Sequence, residues 1–472
     1  MMSSSPPPVS VNSMRRPRRT NSSTPNSCSS DFTWVVIVGW LTPSSRAATV
    51  KLRRWATAWK DRSWVCLILI FSMVYRIRLN WINVRPGRRI VTKERKQSGE
   101  ARMWRYRNPV DVKFGAGAFE GIADVLAGRT YCLVTYDDAN GGSVFADMTR
   151  RLARQAGEPA ALVRNIGPNP DFRGLTKSCR LYAEAARPIE VIVALGGGSV
   201  IDAAKVLAAA SGDFPRVRSY LETGKGGETL GTTPIVAIPT TSGTGSEVTS
   251  WATVWDTDAK KKYSLSRPSL YPEVALVDPL LTVGLPRGIT VSTGLDALSH
   301  ALESIWNVNA NPVSTALAER AAREVLEALP ALADNLRDAG LRLRLSRASL
   351  FAGLAFSNTK TSLAHSLSYH LTLHHGVPHG IACSFSLPMV LRAVVGCDPA
   401  CDAALRNIFG PDLEAGAAHL EATLEKLGVS TRATDHGIAA RDWTALVDHA
   451  LAGERGRNFI GRREALLAAM AA

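Results

Sequence analysis

None of the seven cysteines in this 472-residue chain (28, 66, 132, 179, 383, 397 and 401) forms a CxxC pair. The nearest two, Cys397 and Cys401, have no histidine or further cysteine at zinc-site spacing. A thiolate metal knot and a disulfide framework are therefore excluded, and free thiols in a reducing cytoplasm are expected. Long apolar runs are scarce too. The longest in the leading segment, residues 64–75, is too short for a bilayer core, which takes ~20 residues. It also lies too far along the chain to be the apolar part of a signal peptide. No membrane association is expected.

Charge of one sign is missing from most of the chain. The formal net charge is +15, which by itself would suggest nucleic acid or an anionic surface. Residues 1–102, however, hold 19 Lys+Arg against 4 Asp+Glu, and the remaining 370 hold 37 of each. The body has no basic character, and no nucleic-acid partner is expected. The leading 102 residues combine Ser/Pro/Arg low complexity with six of the eleven tryptophans and no helical or strand period. They read as a disordered leader upstream of a natural start at Met103, and they are set aside from the fold.

From Met103 the pattern alternates. YCLVTY (131–136), VIVALG (191–196), PIVAIP (234–239) and VALVDP (274–279) are apolar and β-branched, and helical stretches separate them. Such alternation predicts a parallel sheet in a doubly wound α/β domain over 103–285. Beyond Leu285-Pro286-Arg287-Gly288 the strand signals fade. Long helical stretches such as STALAERAAREVLEALPALADNL predict an all-helical domain over 286–472, with the ligand cleft between the two.

Three motifs carry chemistry. In VIVALGGGSVIDAAK a strand runs through Gly196-Gly197-Gly198-Ser199 straight into an Ala-rich helix. Glycines let a pyrophosphate approach the backbone, and the first helical N–H groups point at it. The second, IPTTSGTGSEVT (238–249), is dense in hydroxyls and glycine, which suits a ribose–phosphate ligand. The third is a histidine concentration. Five of nine histidines fall between His365 and His379, and Asp296 and His300 precede them in DALSHALE. Residues four apart share a helix face, so Asp296, His300, His365 and His379 predict a metal site built from two helices. One carboxylate and three imidazoles suit a divalent first-row metal with a position left open for substrate.

The order GGGSVIDAAK, PTTSGTGSEVT, VDPLLTVGLP, TGLDALSHALE and PHG resembles the iron-containing (group III) alcohol dehydrogenases from Met103 to the C-terminus. The resemblance implies a nucleotide-binding α/β domain followed by a helical metal-binding domain. It also implies iron(II), with zinc as an alternative, at Asp296, His300, His365 and His379. Gly197, Gly198, Ser199 and Asp202 match the family's pyrophosphate turn, Thr240, Thr241 and Thr244 its hydroxyl-rich loop, and Lys262 a lysine near the nicotinamide ribose. In the family an acidic residue ends the first strand and favours NAD. Tyr136 stands there in this chain, with Asp137 and Asp138 just beyond, so NADH is expected ahead of NADPH.

KKKYSL, ESIWNVNANPVS, FSNTKTSLAHSLSY, HGVPHGIACSFSLP and RGRNFIG are similar to the phosphonoacetaldehyde reductase branch of that family. That resemblance implies reduction of phosphonoacetaldehyde to 2-hydroxyethylphosphonate in phosphonate biosynthesis. The alternative is a general alcohol dehydrogenase acting on substrates such as 4-hydroxybutyrate or 1,2-diols. The expected partner is a small anionic aldehyde, and a homo-oligomer is expected. Lys360 and Thr361 are candidate substrate residues, with Thr361 placed on the His365 face of one continuous helix; Arg457 and Asn458 are further candidates. The family commonly has a histidine four residues after the position of His365. Tyr369 stands there instead and is the candidate for proton transfer or for shaping the pocket wall.

Overall fold

The computed structural model describes residues 103–136 and 138–471. The basic leader, residues 1–102, and the cofactor candidate Asp137 lie outside the described residues. The first half builds one parallel sheet from β1 (Asp111–Phe114), β2 (Tyr131–Val134), β3 (Ala161–Val163), β4 (Val191–Gly196), β5 (Ile235–Pro239) and β8 (Val274–Val277). Their spatial order is β1-β8-β5-β4-β2-β3. The four inner strands are buried at every position, as sheets covered on both faces require, while the edge strands β1 and β3 alternate with exposed residues.

Alternate side chains of each strand enter different cores. Tyr131, Leu133, Val193 and Ile238 pack with Phe119, with Ile122 of α1 (Ile122–Leu126) and with Met148 and Leu152 of α2 (Asp138–Ala156). Cys132, Val134, Ile192 and Ala237 pack on the other face, against α3 (Phe172–Ala183) and α4 (Gly198–Ala210). α5 (Phe214–Thr223) then leads to β5.

A hairpin absent from the sequence reading, β6 (Trp251–Asp256) with β7 (Lys261–Ser266), follows the hydroxyl-rich loop. Lys205 of α4 pins that loop from beneath. Its fully buried ammonium donates to the Ser246 carbonyl at 2.7 Å, the Ser246 hydroxyl at 2.9 Å, the Thr249 hydroxyl at 3.1 Å and the Trp251 carbonyl at 2.9 Å. Burial pulls this lysine down to about 8, against the opposing pull of Asp202 and Glu247.

Every regular element from residue 287 onward is helical: α6 (Arg287–Ile305), α7 (Pro312–Asp334), α8 (Ala339–Thr359), α9 (Leu363–His375), α10 (His379–Ser384), α11 (Leu387–Val394), α12 (Pro399–Phe409), α13 (Leu413–Lys426), α14 (Trp443–Ala452) and α15 (Arg463–Ala471). α6 is buried along nearly its whole length, with α7 and α8 packed on it. Asn311 starts α7 with a reciprocal cap to Ser314 and Pro312 in the first turn, and the Asp398 and Asp412 carboxylates cap α12 and α13 by accepting from two first-turn backbone N–H groups each. No helix among the described residues is long and apolar enough to cross a membrane.

One expectation about local structure is corrected. Residues 356–369 do not form a continuous helix. Lys360 has φ 63°, ends α8, and leaves Thr361 ahead of α9, so Thr361 owes nothing to the helical register of His365.

Replacing Lys205 with Met keeps much of the side-chain volume and removes the buried donor that two carbonyls and two hydroxyls share. Unsatisfied buried groups cost about 1–3 kcal/mol each, so Lys205→Met should lose about 3 kcal/mol or more. The loss would be read as a lower denaturant midpoint; an unchanged midpoint would show that the loop is held by other contacts.

Candidate metal and cofactor site

Three helices, not two, assemble the carboxylate and imidazoles. Asp296 and His300 lie one turn apart on α6, His365 comes from the first turn of α9, and His379 is the first residue of α10. The Nε2 atoms of His300, His365 and His379 lie 3.8, 3.4 and 3.9 Å from Asp296 Oδ1. Asp296 Oδ1 and His365 Nε2 are buried with no hydrogen-bond partner, a costly arrangement unless something else occupies the space they face. Asp296, His300 and His365 are almost fully buried, whereas a third of the His379 side chain is exposed.

The electrostatics suit a cation. Burial alone would raise the Asp296 carboxyl, but the surrounding imidazoles outweigh it and hold the group below the usual carboxylate range. Burial lowers His300 to about 4 and takes His379 well below its ordinary value, so both rings are neutral donors near pH 7. His365 runs the other way: burial would lower it, but Cys383 and Glu303 hold it well above its ordinary value, so a cation would displace a proton there to complete the set of one anionic oxygen and imidazoles that suits a divalent first-row metal.

Neighbouring groups aim these donors. Glu303, on α6 and fully buried, accepts from His365 Nδ1 at 2.7 Å and from the backbone N–H of Ser362 and His365. The bond to Nδ1 leaves Nε2 to face Asp296, the orientation that metal-ligating histidines draw from a second carboxylate. His300 Nδ1 meets the Gly243 carbonyl at 3.2 Å, and its ring lies flat on Phe356 with centroids 4.0 Å apart. The glycine of PHG brings His379 in: a Cβ on Gly380 would sit 1.8 Å from the Ser292 carbonyl of α6, so only glycine lets α10 lie this close. Glu303 was missed in the sequence reading, although it follows His300 by three residues, on the same helix face. Cys383, one turn after His379, was missed as well: one ligand atom from each of Asp296, His365, His379 and Cys383 lies within 4.8 Å of the others.

The glycine turn falls at the switch point of the sheet. The chain leaves β2 for β3 on one side and returns to β4 on the other, and at such reversals a crevice opens beyond the strand ends. Gly196, Gly197 and Gly198 line that crevice, and α4 begins there without a side-chain cap. A Cβ on Gly198 would lie 2.6 Å from the Thr244 side chain, and one on Gly197 would lie 3.1 Å from both Thr241 and the Tyr136 hydroxyl. The Thr240 hydroxyl is buried without a partner. Ser199 Oγ accepts from the backbone N–H of Asn169. This lining fits a pyrophosphate on free helix N–H groups. Asp202 stands differently: its two oxygens accept from Ser246 Oγ at 2.6 Å and Thr253 N–H at 2.8 Å, so it braces the loop and hairpin.

A cavity of about 570 Å³ has Lys262, Lys360, Thr361, Tyr369, Arg455 and Asn458 among its lining residues. Lys262 sits opposite Trp255 in the hairpin, its ammonium 5.2 Å from that ring's centroid and 4.1 Å from the Tyr369 centroid. Burial, then the neighbouring Arg455, bring Lys262 down to about 7. The Arg455 guanidinium lies 5.3 Å from the Tyr369 centroid and donates to Thr361 Oγ1. Burial raises the Tyr369 phenol, which therefore stays protonated.

The other predicted substrate residues part company. Lys360 lies at the rim, more than half exposed, and its ammonium pairs with Glu454 at 3.2 Å. Arg457 is exposed and donates to the Ala452 carbonyl at the end of α14. Asn458 donates to the Thr361 carbonyl at 2.9 Å and holds that segment in place. Arg455, two residues before Arg457 in RGRNFIG, is the cation that the sequence reading passed over.

Comparison with known proteins follows the same division of the chain. Residues 109–279 match the family described as iron-containing alcohol dehydrogenase, and residues 290–464 match its C-terminal counterpart. The chain is 31% identical over 349 residues to 1,3-propanediol dehydrogenase of Klebsiella pneumoniae, covering 71% of this chain and 87% of that protein. It is 38% identical over 242 residues to phosphonoacetaldehyde reductase of Streptomyces viridochromogenes, covering 50% and 60%. Other curated relatives, 37% identical, are spanned over only about half of their length, 54% and 55%. Among solved structures, sulfoacetaldehyde reductase from Bifidobacterium kashiwanohense in complex with NAD+ superposes with a TM-score of 0.72. The pair is 29% identical, over 78% of this chain and 98% of that one.

The Glu303 contacts predict a metal-affinity effect separable from folding. Removing an outer partner of a ligating histidine typically costs about 10–100-fold in metal affinity, so Glu303→Gln should weaken divalent-metal binding by that factor in chelator competition. Full affinity in a folded Glu303→Gln protein would mean that His365 needs no such orientation. On the cofactor side, Gly198→Ala should weaken dinucleotide binding, measured by fluorescence titration, because the new methyl collides with Thr244.

Proposed function

The chain belongs to the iron-containing alcohol dehydrogenase family, and on that premise we propose that it reduces an anionic short-chain aldehyde. The substrate we propose is phosphonoacetaldehyde, reduced to 2-hydroxyethylphosphonate by a nicotinamide dinucleotide. The observation that carries this reading is the pair of cations flanking Tyr369. Neither Lys262 nor Arg455 meets a carboxylate at ion-pair distance among the described residues; Arg455 brings a standing positive charge to the cavity wall, and an anionic group would draw Lys262, lowered to about 7, back to its charged form. A phosphonate offers three acceptor oxygens and up to two charges, and a guanidinium fork matches it in geometry.

Asp296, His300, His365 and His379 would hold divalent iron, which when bound supplies Lewis-acid polarisation of the carbonyl; zinc would serve the same electronic role. The glycine turn at 196–198 and the threonines at 240, 241 and 244 would hold the dinucleotide. NADH is preferred on the sequence alone, from the carboxylates following Tyr136. Arg455 and Lys262 bind the anionic end of the substrate, and Thr361 keeps the Arg455 fork turned toward it. Tyr369 forms the wall between those cations and retains a phenolic proton, so it can donate a hydrogen bond or relay a proton as the alcohol forms.

A second reading has a specific support. The match to 1,3-propanediol dehydrogenase covers far more of the relative than the match to phosphonoacetaldehyde reductase, 87% against 60%. On that reading the enzyme takes uncharged short alcohols or diols, and the cations serve the cofactor.

Steady-state kinetics on phosphonoacetaldehyde and butanal, with metal content measured on the same preparation, separate the two. A lost charge-assisted contact is worth about 1.5–3 kcal/mol, so Arg455→Ala should raise KM for phosphonoacetaldehyde roughly 10–100-fold and leave butanal nearly unaffected. Lys360→Ala, which breaks only an exposed ion pair, should change either value little. An equal rise for both aldehydes in Arg455→Ala, or no rise at all, would remove the anionic-substrate reading.

A further inference from the structure

We propose that Cys383 is a further protein donor to the cation held by Asp296, His300, His365 and His379, so that the centre takes a thiolate beside its carboxylate and imidazoles. The inference rests on the metal-site reading above and extends it to a residue type that the family resemblance did not supply.

Helical register starts the argument. His379 and Cys383 are four residues apart on α10, hence on one face. The thiol is fully buried, and Sγ lies 3.6 Å from His379 Nε2 and 3.7 Å from Nδ1. The set whose ligand atoms all lie within 4.8 Å of one another is Asp296, His365, His379 and Cys383; His300 is not in it. The second observation is that Asp296 Oδ1 and His365 Nε2, both buried, form no hydrogen bond. Two orphaned donor atoms and a buried sulfur around one space form a mixed N, O, S set.

Such a set has a chemical consequence. Binding displaces the thiol proton to solvent and leaves a soft thiolate on the metal. Soft donors favour zinc, cobalt(II) and iron(II) over manganese or magnesium, which prefer oxygen. Cys383 would therefore narrow the range of metals that the centre retains.

The test uses the full chain, stripped of metal and loaded with one equivalent of cobalt(II). The wild-type protein should show a thiolate-to-cobalt charge-transfer absorption in the near ultraviolet in addition to the visible ligand-field bands. Cys383→Ser and Cys383→Ala should lose the charge-transfer feature and keep the visible bands. Zinc affinity should fall about tenfold, a change of 1.4 kcal/mol, while manganese affinity stays unchanged. For a measurement that needs no variant, X-ray absorption of the zinc-loaded wild-type protein should find one sulfur at about 2.3 Å among nitrogen and oxygen neighbours. A wild-type spectrum without the charge-transfer band, a band that survives in Cys383→Ala, or a zinc shell without sulfur overturns the inference and leaves the metal site standing. Wild-type protein that takes up no cobalt overturns the metal-site reading and this inference together.

Discussion

A carboxylate buried among imidazoles, with no proton donor for one of its oxygens, is the constraint around which the helical half is arranged. Leaving Asp296 Oδ1 and His365 Nε2 unpaired inside a dry centre is unfavourable, and a divalent cation is what the donor set suits. Three helices share the work of delivering it. α6 provides Asp296 and His300 and also the Glu303 that turns His365. The positive φ of Lys360 breaks the chain so that α9 can start afresh. Gly380 lets α10 approach the α6 backbone closely enough to place His379.

The sheet half solves a different problem, that of presenting bare backbone to a polar ligand. The reversal of strand order between β2 and β4 opens a crevice, and the glycine turn reaches it without side chains in the way. The loop opposite would be floppy if it relied on its own glycines. Lys205 and Asp202, both on the helix that begins at the turn, grip the loop from below through Ser246, Thr249 and Thr253. The same loop touches the helical half: its Gly243 carbonyl receives His300, and its Ser242 hydroxyl meets that of Ser346 at 2.9 Å, so the cofactor loop and the imidazole cluster are held in mutual register.

Much of this was legible from periodicity. Buried parallel strands give near-continuous apolar runs, and the change to helical spacing after residue 286 gives the order of the two halves. The histidine concentration and Asp296–His300 pair named the four side chains that the structure brings together. Thr361 was placed by extending a helix through Lys360, and Lys360 was given a role in the cavity that its exposed pairing with Glu454 does not support. Arg455 was overlooked in favour of Arg457, because neighbouring arginines look alike until the 3-10 turn at 456–458 sends one inward and the other to the end of α14.

Taken alone, the sequence determined which residue types are available and how they repeat: a glycine turn after a buried strand, a carboxylate and histidine four apart, and histidines gathered within fifteen positions. These are local properties, set by the geometry of a single strand, turn or helix. Tertiary structure decided which of them meet. The hairpin carrying Lys262, the turn carrying Arg455 and the α10 face carrying Cys383 come from segments far apart in the chain. The hairpin is held by α4 and α5 of the sheet half, the Arg455 turn by α9, and α10 by α6 and α9, and that packing is blind to sequence distance.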